Sequence, residues 1–109
     1  MASNEHYELL KAGLTDGESK VYLSLSELGS STVGPVVKKS RVAYSNVYDI
    51  LNRLIEKGLV SFVIKGKTKY FQATSPKNLL DYLEKKEKDI LSQKEEMKKI
   101  LPSLEKLQG

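Results

Sequence analysis

The 109-residue chain contains no cysteine. That one absence removes disulfides, zinc ribbons, thiol nucleophiles and iron–sulfur ligation together, and it suits a reducing cytoplasm. Histidine is almost as scarce. His6 is the only one, and with no thiolate or second imidazole beside it a metal site is not expected. Lying ahead of the core helices, it reads as an ordinary surface residue. Long apolar runs are missing too. No stretch approaches the roughly 20 apolar residues of a membrane span. The N-terminal "MASNEHYELLKAGL" is acidic where a signal peptide would be basic. There is no P-loop, dinucleotide fingerprint or nucleophile elbow, and no internal repeat. The acids after Asp81 alternate with lysines at helical spacing, the pattern of a solvated helix rather than of paired acid and base catalysts. These absences argue against an enzyme and against any cofactor.

What the chain does have is an uneven distribution of charge. Residues 1–29 carry two basic against five acidic side chains, residues 30–80 nine against two, and residues 81–109 seven of each. The formal net charge of +4 is therefore concentrated in the middle as a net +7, the distribution of a surface that faces a polyanion.

The apolar spacing orders the elements. Leu14, Val21, Leu25 and Leu28 follow a helical period and "TDGE" has capping-box form, so a helix is expected from Asp16 to Leu28, stopped near Gly29. A short helical piece, "EHYELLKA", precedes it. "SSTVGPVVKKS" places Ser and Thr as caps and a proline in a first turn, giving a short helix to about Lys39. Val47, Leu51 and Leu54, flanked by Ile50 and Ile55 and stopped by Gly58, predict a helix over Ala43–Lys57. "LVSFVIKGKTKYFQAT" changes to β-branched and aromatic residues around Gly66 and reads as a hairpin.

From Pro76 nearly to the end the composition is helical, with a seam of Leu80, Leu83, Ile90, Met97, Leu101 and Leu104 interrupted by Glu87 and Lys94, a weak coiled-coil pattern. About 30 helical residues reach roughly 45 Å, too long to fold back on so small a core. The stripe needs a partner, and a second copy of the chain is the expectation. Pro102 lacks an amide hydrogen and crowds the carbonyl of Lys98, predicting a kink or break.

Three core helices and a basic hairpin make a mainly α winged helix-turn-helix, followed by a long helix for dimerisation. In that arrangement the third core helix enters the major groove and the hairpin meets the backbone or minor groove. The expected division is a DNA-binding domain over residues 1–75 and the long helix over residues 76–109.

"LTDGESKVYLSLSELG" (Leu14 to Gly29), "SRVAYSNVYDILNRLIEKGLV" (Ser40 to Val60) and "GKTKYFQATSPKNLLDYL" (Gly66 to Leu83) resemble, in order, the N-terminal domain of the archaeal TrmB family of transcriptional regulators. The resemblance implies a winged-helix DNA-binding domain dimerised through the helix that follows. Family members often carry Pro and Arg where Ala43 and Tyr44 stand here, and a basic residue at the Asn46 position, so their base preference does not carry over. Larger members continue into a sugar-recognising effector domain. The sequence stops at Gly109, so direct sugar sensing is not expected of it.

Within the reading helix, Asn46 and Asn52 have amides able to bond an adenine edge, and Ser45 a base or a phosphate; capping or local hydrogen bonding is the alternative. Tyr44 and Tyr48 can reach phosphates or thymine methyls, or be partly buried. Arg53 suits a phosphate, or pairs with Asp49 one turn earlier. Lys65, Lys67 and Lys69 on the hairpin tip suit a backbone clamp, or merely blunt a sheet edge. Lys38, Lys39 and Arg41 suit phosphate anchoring, which positions without specifying sequence.

The expected function is a sequence-specific, double-stranded DNA-binding transcriptional regulator, homodimeric, cytoplasmic and nucleoid-associated. Two alternatives stay open: a winged-helix subunit of a transcription assembly, and a sequence-tolerant, chromatin-like coating protein. Operator, direction of regulation and any small-molecule effector are not specified by these residues.

Overall fold

Capping chemistry sets where the first helices begin in the computed structural model, which describes residues 3–109. The first helix, α1 (Asn4–Lys11), starts at Ser3, whose Oγ accepts the His6 amide at 3.2 Å. The next, α2 (Asp16–Leu28), has the full capping box. Thr15 Oγ1 accepts the Glu18 amide at 3.1 Å, and the Glu18 carboxylate accepts the Thr15 amide at 2.8 Å, so two helix-start donors are satisfied reciprocally.

Pro35 lies in the first turn of α3 (Val33–Ser40), where its missing amide hydrogen has no helical acceptor to lose. The following helix, α4 (Tyr44–Glu56), carries the apolar stripe read from the sequence. It ends in a Schellman arrangement: Gly58, at φ +76°, donates to Ile55 at 3.0 Å, and Leu59 donates to Leu54 at 2.9 Å. Only glycine adopts that backbone angle without steric cost.

The hairpin pairs β1 (Val60–Lys65) antiparallel with β2 (Thr68–Ala73), with Phe62 opposite Phe71 and Lys65 opposite Thr68. The two-residue turn has positive φ at Gly66 but not at Lys67, the signature of a type II′ turn. A further link is absent from the periodicity of the sequence. Ser31, between α2 and α3, exchanges both backbone hydrogen bonds with Phe71, at 2.8 and 2.7 Å. This bridge ties the base of the wing to the helical head.

Val21, Leu25, Val36, Val47, Leu51, Leu54 and Leu59 are fully buried around Phe71, which is 2% exposed. The helices and the hairpin thus share one core, the winged helix-turn-helix expected from the element order. His6 departs from expectation. It is buried, with Nδ1 2.8 Å from Ser19 Oγ and Nε2 3.1 Å from Asp16. The α1 piece packs on α2 closely enough to cover the ring, and two polar neighbours satisfy both nitrogens.

The last helix, α5 (Asn78–Gln108), runs 31 residues with none buried, and stretches the molecule to 60 × 34 × 27 Å. Its base is fastened to the head. The Tyr82 hydroxyl and Lys86 Nζ both donate to the Ala12 carbonyl, at 3.2 and 2.7 Å, while Leu79 and Tyr82 pack on the core edge. The expected break at Pro102 does not occur, for α5 continues through it. The proline removes one hydrogen bond, and the good helix formers Leu104 to Leu107 carry the remaining turn. No helix among the described residues is long and apolar enough to cross a membrane.

Glu18 is the most deeply buried charge among the described residues, 1% exposed, and both Arg53 of α4 and Lys57 at the C-cap of that helix donate to its Oε2. Burial alone would raise its pKa; the Lys57 hydrogen bond, the Thr15 amide and Arg53 outweigh burial and hold the carboxyl below its ordinary value of 4.5. A depressed folded-state pKa contributes stability that is present above the unfolded value and is lost as pH falls through the folded one. Glu18→Gln should therefore lower unfolding free energy by about 2 kcal/mol at pH 7, less than for a fully buried pair because both cations keep water. The deficit should shrink below pH 4.5, as denaturant unfolding of both proteins at neutral and acid pH will measure.

Candidate nucleic-acid interface

Burying Val47, Ile50, Leu51 and Leu54 against α2 and α3 leaves α4 with three outward rows. Opposite the core lie Ser45, Asp49 and Asn52, at spacings of four and three, all exposed. Tyr44 and Tyr48 form one flank, 60% and 45% exposed, with ring centroids 5.8 Å apart and nearly perpendicular. Interaction with the Tyr44 hydroxyl pushes the Tyr48 phenol above its ordinary value. Neither ring is packed away in the core. Asn46 and Arg53 form the other flank, beside Thr15 and Gly17 at the start of α2. The helix begins at Ala43 without a side-chain cap, so capping occupies neither Ser45 nor Asn46.

The candidate residues therefore lie on one helix but not in one row. Arg53 also has a different neighbour from the one expected. Its Nε lies 3.3 Å from Glu18 Oε2, and the surface pair with Asp49 is not formed. A buried carboxylate draws the nearest cations, and Arg53 in the last turn of α4 and Lys57 at its C-cap are within its reach. Asp49 is left at the centre of the outward face with no basic partner among the described residues. In the sequence it stands out only as a counter-charge for Arg53 one turn later. Its positions relative to Ser45 and Asn52 were the available signal, and a carboxylate there can accept from a cytosine amine.

Unpaired cations precede and follow this helix along the chain. Lys38 and Arg41 are exposed in and after the last turn of α3, with no acidic partner among the described residues, whereas Lys39 is held by Glu27 at 2.8 Å. Arg41 is the one non-glycine residue with positive φ among the described residues, at +61°. Such a conformation costs an L-residue roughly 1 to 2 kcal/mol. On the wing, Lys65 sits 5.4 Å from the Tyr70 ring centre and Lys69 4.5 Å from that of Phe62, each diagonal across the strand pair. The rings hold two ammonium groups in place while Lys67 projects from the turn. None of the three has an acidic partner among the described residues, and no group of acids with His6 there could hold a metal ion.

A family model described as "Sugar-specific transcriptional regulator TrmB" matches residues 9–77. The chain belongs to the TrmB family. That family is one of transcriptional regulators, not enzymes. The HTH-type sugar-sensing transcriptional regulator TrmBL1 of Pyrococcus furiosus is 35% identical over 97 residues, 89% of this chain but 27% of the relative. The structure of TrmBL2, described as an archaeal chromatin protein with a novel mode of DNA binding, is similar at a TM-score of 0.73 and 26% identity, over 97% of this chain and 42% of the other. A MarR family protein from Bacillus stearothermophilus, 23% identical with a TM-score of 0.57, covers 94% of this chain and 79% of its own, and shares the winged-helix fold. The TrmB chain thus spans less than half the length of the two TrmB-like relatives.

The strained backbone at Arg41 gives a test that needs no ligand. Arg41→Gly should raise unfolding free energy by about 0.5 kcal/mol, the relief at positive φ being partly offset by the greater entropy of the unfolded glycine chain. Thermal unfolding of the two proteins measures the sign.

Proposed function

We propose that this TrmB-family chain binds double-stranded DNA in a sequence-specific manner as a homodimeric transcriptional regulator, with residues 1–75 as the DNA-binding domain and residues 76–109 as the dimerisation helix. The observation that carries the reading is the exposed row Ser45, Asp49 and Asn52, set between the Arg41 turn and a wing of three acid-free lysines. Cations at both ends anchor phosphates, and the amide, hydroxyl and carboxylate groups between them meet base edges. Tyr44 and Tyr48 contact the sugar-phosphate backbone or thymine methyls. Arg53 keeps its grip on Glu18 and offers its exposed half to a phosphate. The protein acts in the cytoplasm on the nucleoid.

The exposed seam of α5 supports the dimer, since Leu80, Leu83, Ile90, Met97, Leu101 and Leu104 are 40% to 68% exposed, more apolar surface than a lone helix leaves in water. Twofold symmetry then requires a pseudo-palindromic site with half-sites about 10 to 10.5 base pairs apart or a multiple of that. A second reading, a chromatin-like coating protein, is favoured by the likeness to TrmBL2, which is described as a chromatin protein.

Selection of bound duplexes from a random pool at near-physiological salt, with the solution mass measured alongside, separates the readings. An enriched twofold-symmetric motif and a dimeric mass are the expected result. Binding without enrichment supports the coating protein, and absence of binding supports a protein-interaction subunit. On the selected site, Asn46→Ala should cost about 1 to 3 kcal/mol and relax one base preference, whereas Lys67→Ala should weaken all sequences alike. Arg41→Gly should weaken binding while stabilising the fold. With roughly 8 phosphates neutralised per dimer, the slope of log affinity against log salt should be about −7.

A further inference from the structure

The pattern of α5 also carries the direction in which two copies would pair. Leu80, Glu87, Lys94 and Leu101 occupy one core position of its heptad, and Leu83, Ile90, Met97 and Leu104 the other. In a parallel, in-register pair Glu87 meets the partner's Glu87 and Lys94 the partner's Lys94, two like-charge layers in mid-seam. Parallel flanks set Leu79 against the partner's Glu84 and Ile100 against the partner's Glu105, with no opposite charges facing.

We propose that α5 pairs antiparallel with a second copy of this chain, about an axis near Ser92, so that residues whose numbers sum to 184 lie level. The proposal rests on the homodimer reading above and adds its orientation and register. Leu80 meets the partner's Leu104, Leu83 meets the partner's Leu101, and Glu87 comes within one turn of the partner's Lys94. The edges agree with the core. Along one, Glu84 faces the partner's Lys98, Lys77 faces the partner's Glu105, and Leu91 faces the partner's Leu91. Along the other, Leu79 faces the partner's Leu107. Interrupting charges that would split a parallel seam become complementary when one helix is reversed.

A second feature, away from the seam, points the same way. Between α1, α2 and the base of α5 lies an apolar groove of about 530 Å³ lined by Leu9, Tyr22, Leu23, Pro76, Leu79 and Leu83. Leu107, at 82% the most exposed of the large apolar side chains among the described residues, comes level with Lys77 of the opposite copy in this register and fills that groove. A parallel pair leaves the two about 45 Å apart.

The absence of cysteine lets single introduced thiols report the orientation. The solution mass of the unmodified protein comes first, and a monomer overturns the homodimer reading together with this one. For a dimer, Leu80→Cys and Leu104→Cys proteins are oxidised separately and after mixing with subunit exchange. A disulfide-linked dimer in the mixture alone is the expected result. Linkage of Leu80→Cys protein to itself overturns the antiparallel orientation while leaving the dimer intact. Spin labels on Gln108→Cys protein give a second readout, about 48 Å apart if antiparallel and roughly 10 to 20 Å if parallel. Glu87→Lys should weaken dimerisation about tenfold and Lys94→Glu added to it restore the affinity, the loss corresponding to about 1.4 kcal/mol; a single substitution without effect speaks for parallel pairing.

Discussion

A buried carboxylate on one helix sets the attitude of another. Glu18 closes the capping box of α2 and at the same time receives Arg53 from α4 and Lys57 from its C-cap. Leaving a carboxylate at that depth without these cations is costly, so α4 is held both by its apolar stripe and by a charged clamp at its C-terminal half. The outward rows of α4 owe their direction to this double constraint. The same clamp withdraws part of Arg53 from whatever the helix meets.

The remaining charges are arranged by what they lack. Around α2 and α3, Lys20 and Lys39 have carboxylate partners. At the Arg41 turn and on the wing the cations have none among the described residues, and two wing lysines are steadied by aromatic faces instead of acids. An aromatic ring orients an ammonium group without neutralising it, so the positive potential of the wing survives its own ordering. The Ser31–Phe71 bridge makes that wing a continuation of the core that also holds α4.

The α5 helix obeys a different constraint. The carbonyl of Ala12 holds its base through Tyr82 and Lys86, while the rest of its length has no intramolecular cover. Helices in proteins owe most of their stability to the packing of an apolar face, so the exposed seam of α5 and the groove at its foot are two halves of one unsatisfied demand for contact. The reversed pairing proposed above would meet both together.

Much of this architecture was legible in the sequence, because helix starts, stops and stripes are local. Thr15 and Glu18 marked α2, Gly58 marked the end of α4, and the spacing of Val47, Leu51 and Leu54 marked its buried side. The TrmB resemblance lay in contiguous segments and could be read as such. Placement across the fold could not be. His6 was expected on the surface because nothing in the chain announces that Ser19 and Asp16 will close over it. Arg53 was offered Asp49 because both lie on one helix, whereas its partner is 35 residues away. Asp49 stands free on the outward face because Glu18, far away in sequence, takes the Arg53 that the helix itself would offer it, and Pro102, expected to interrupt α5, lies inside a continuous helix. The sequence by itself determined the elements, their order, the basic middle and the charged heptad of α5, since each depends on neighbours within a few residues. Only the tertiary structure decided which charges are spent inside the molecule and which remain outward, because electrostatic partnership follows distance in space and depth of burial, not distance along the chain.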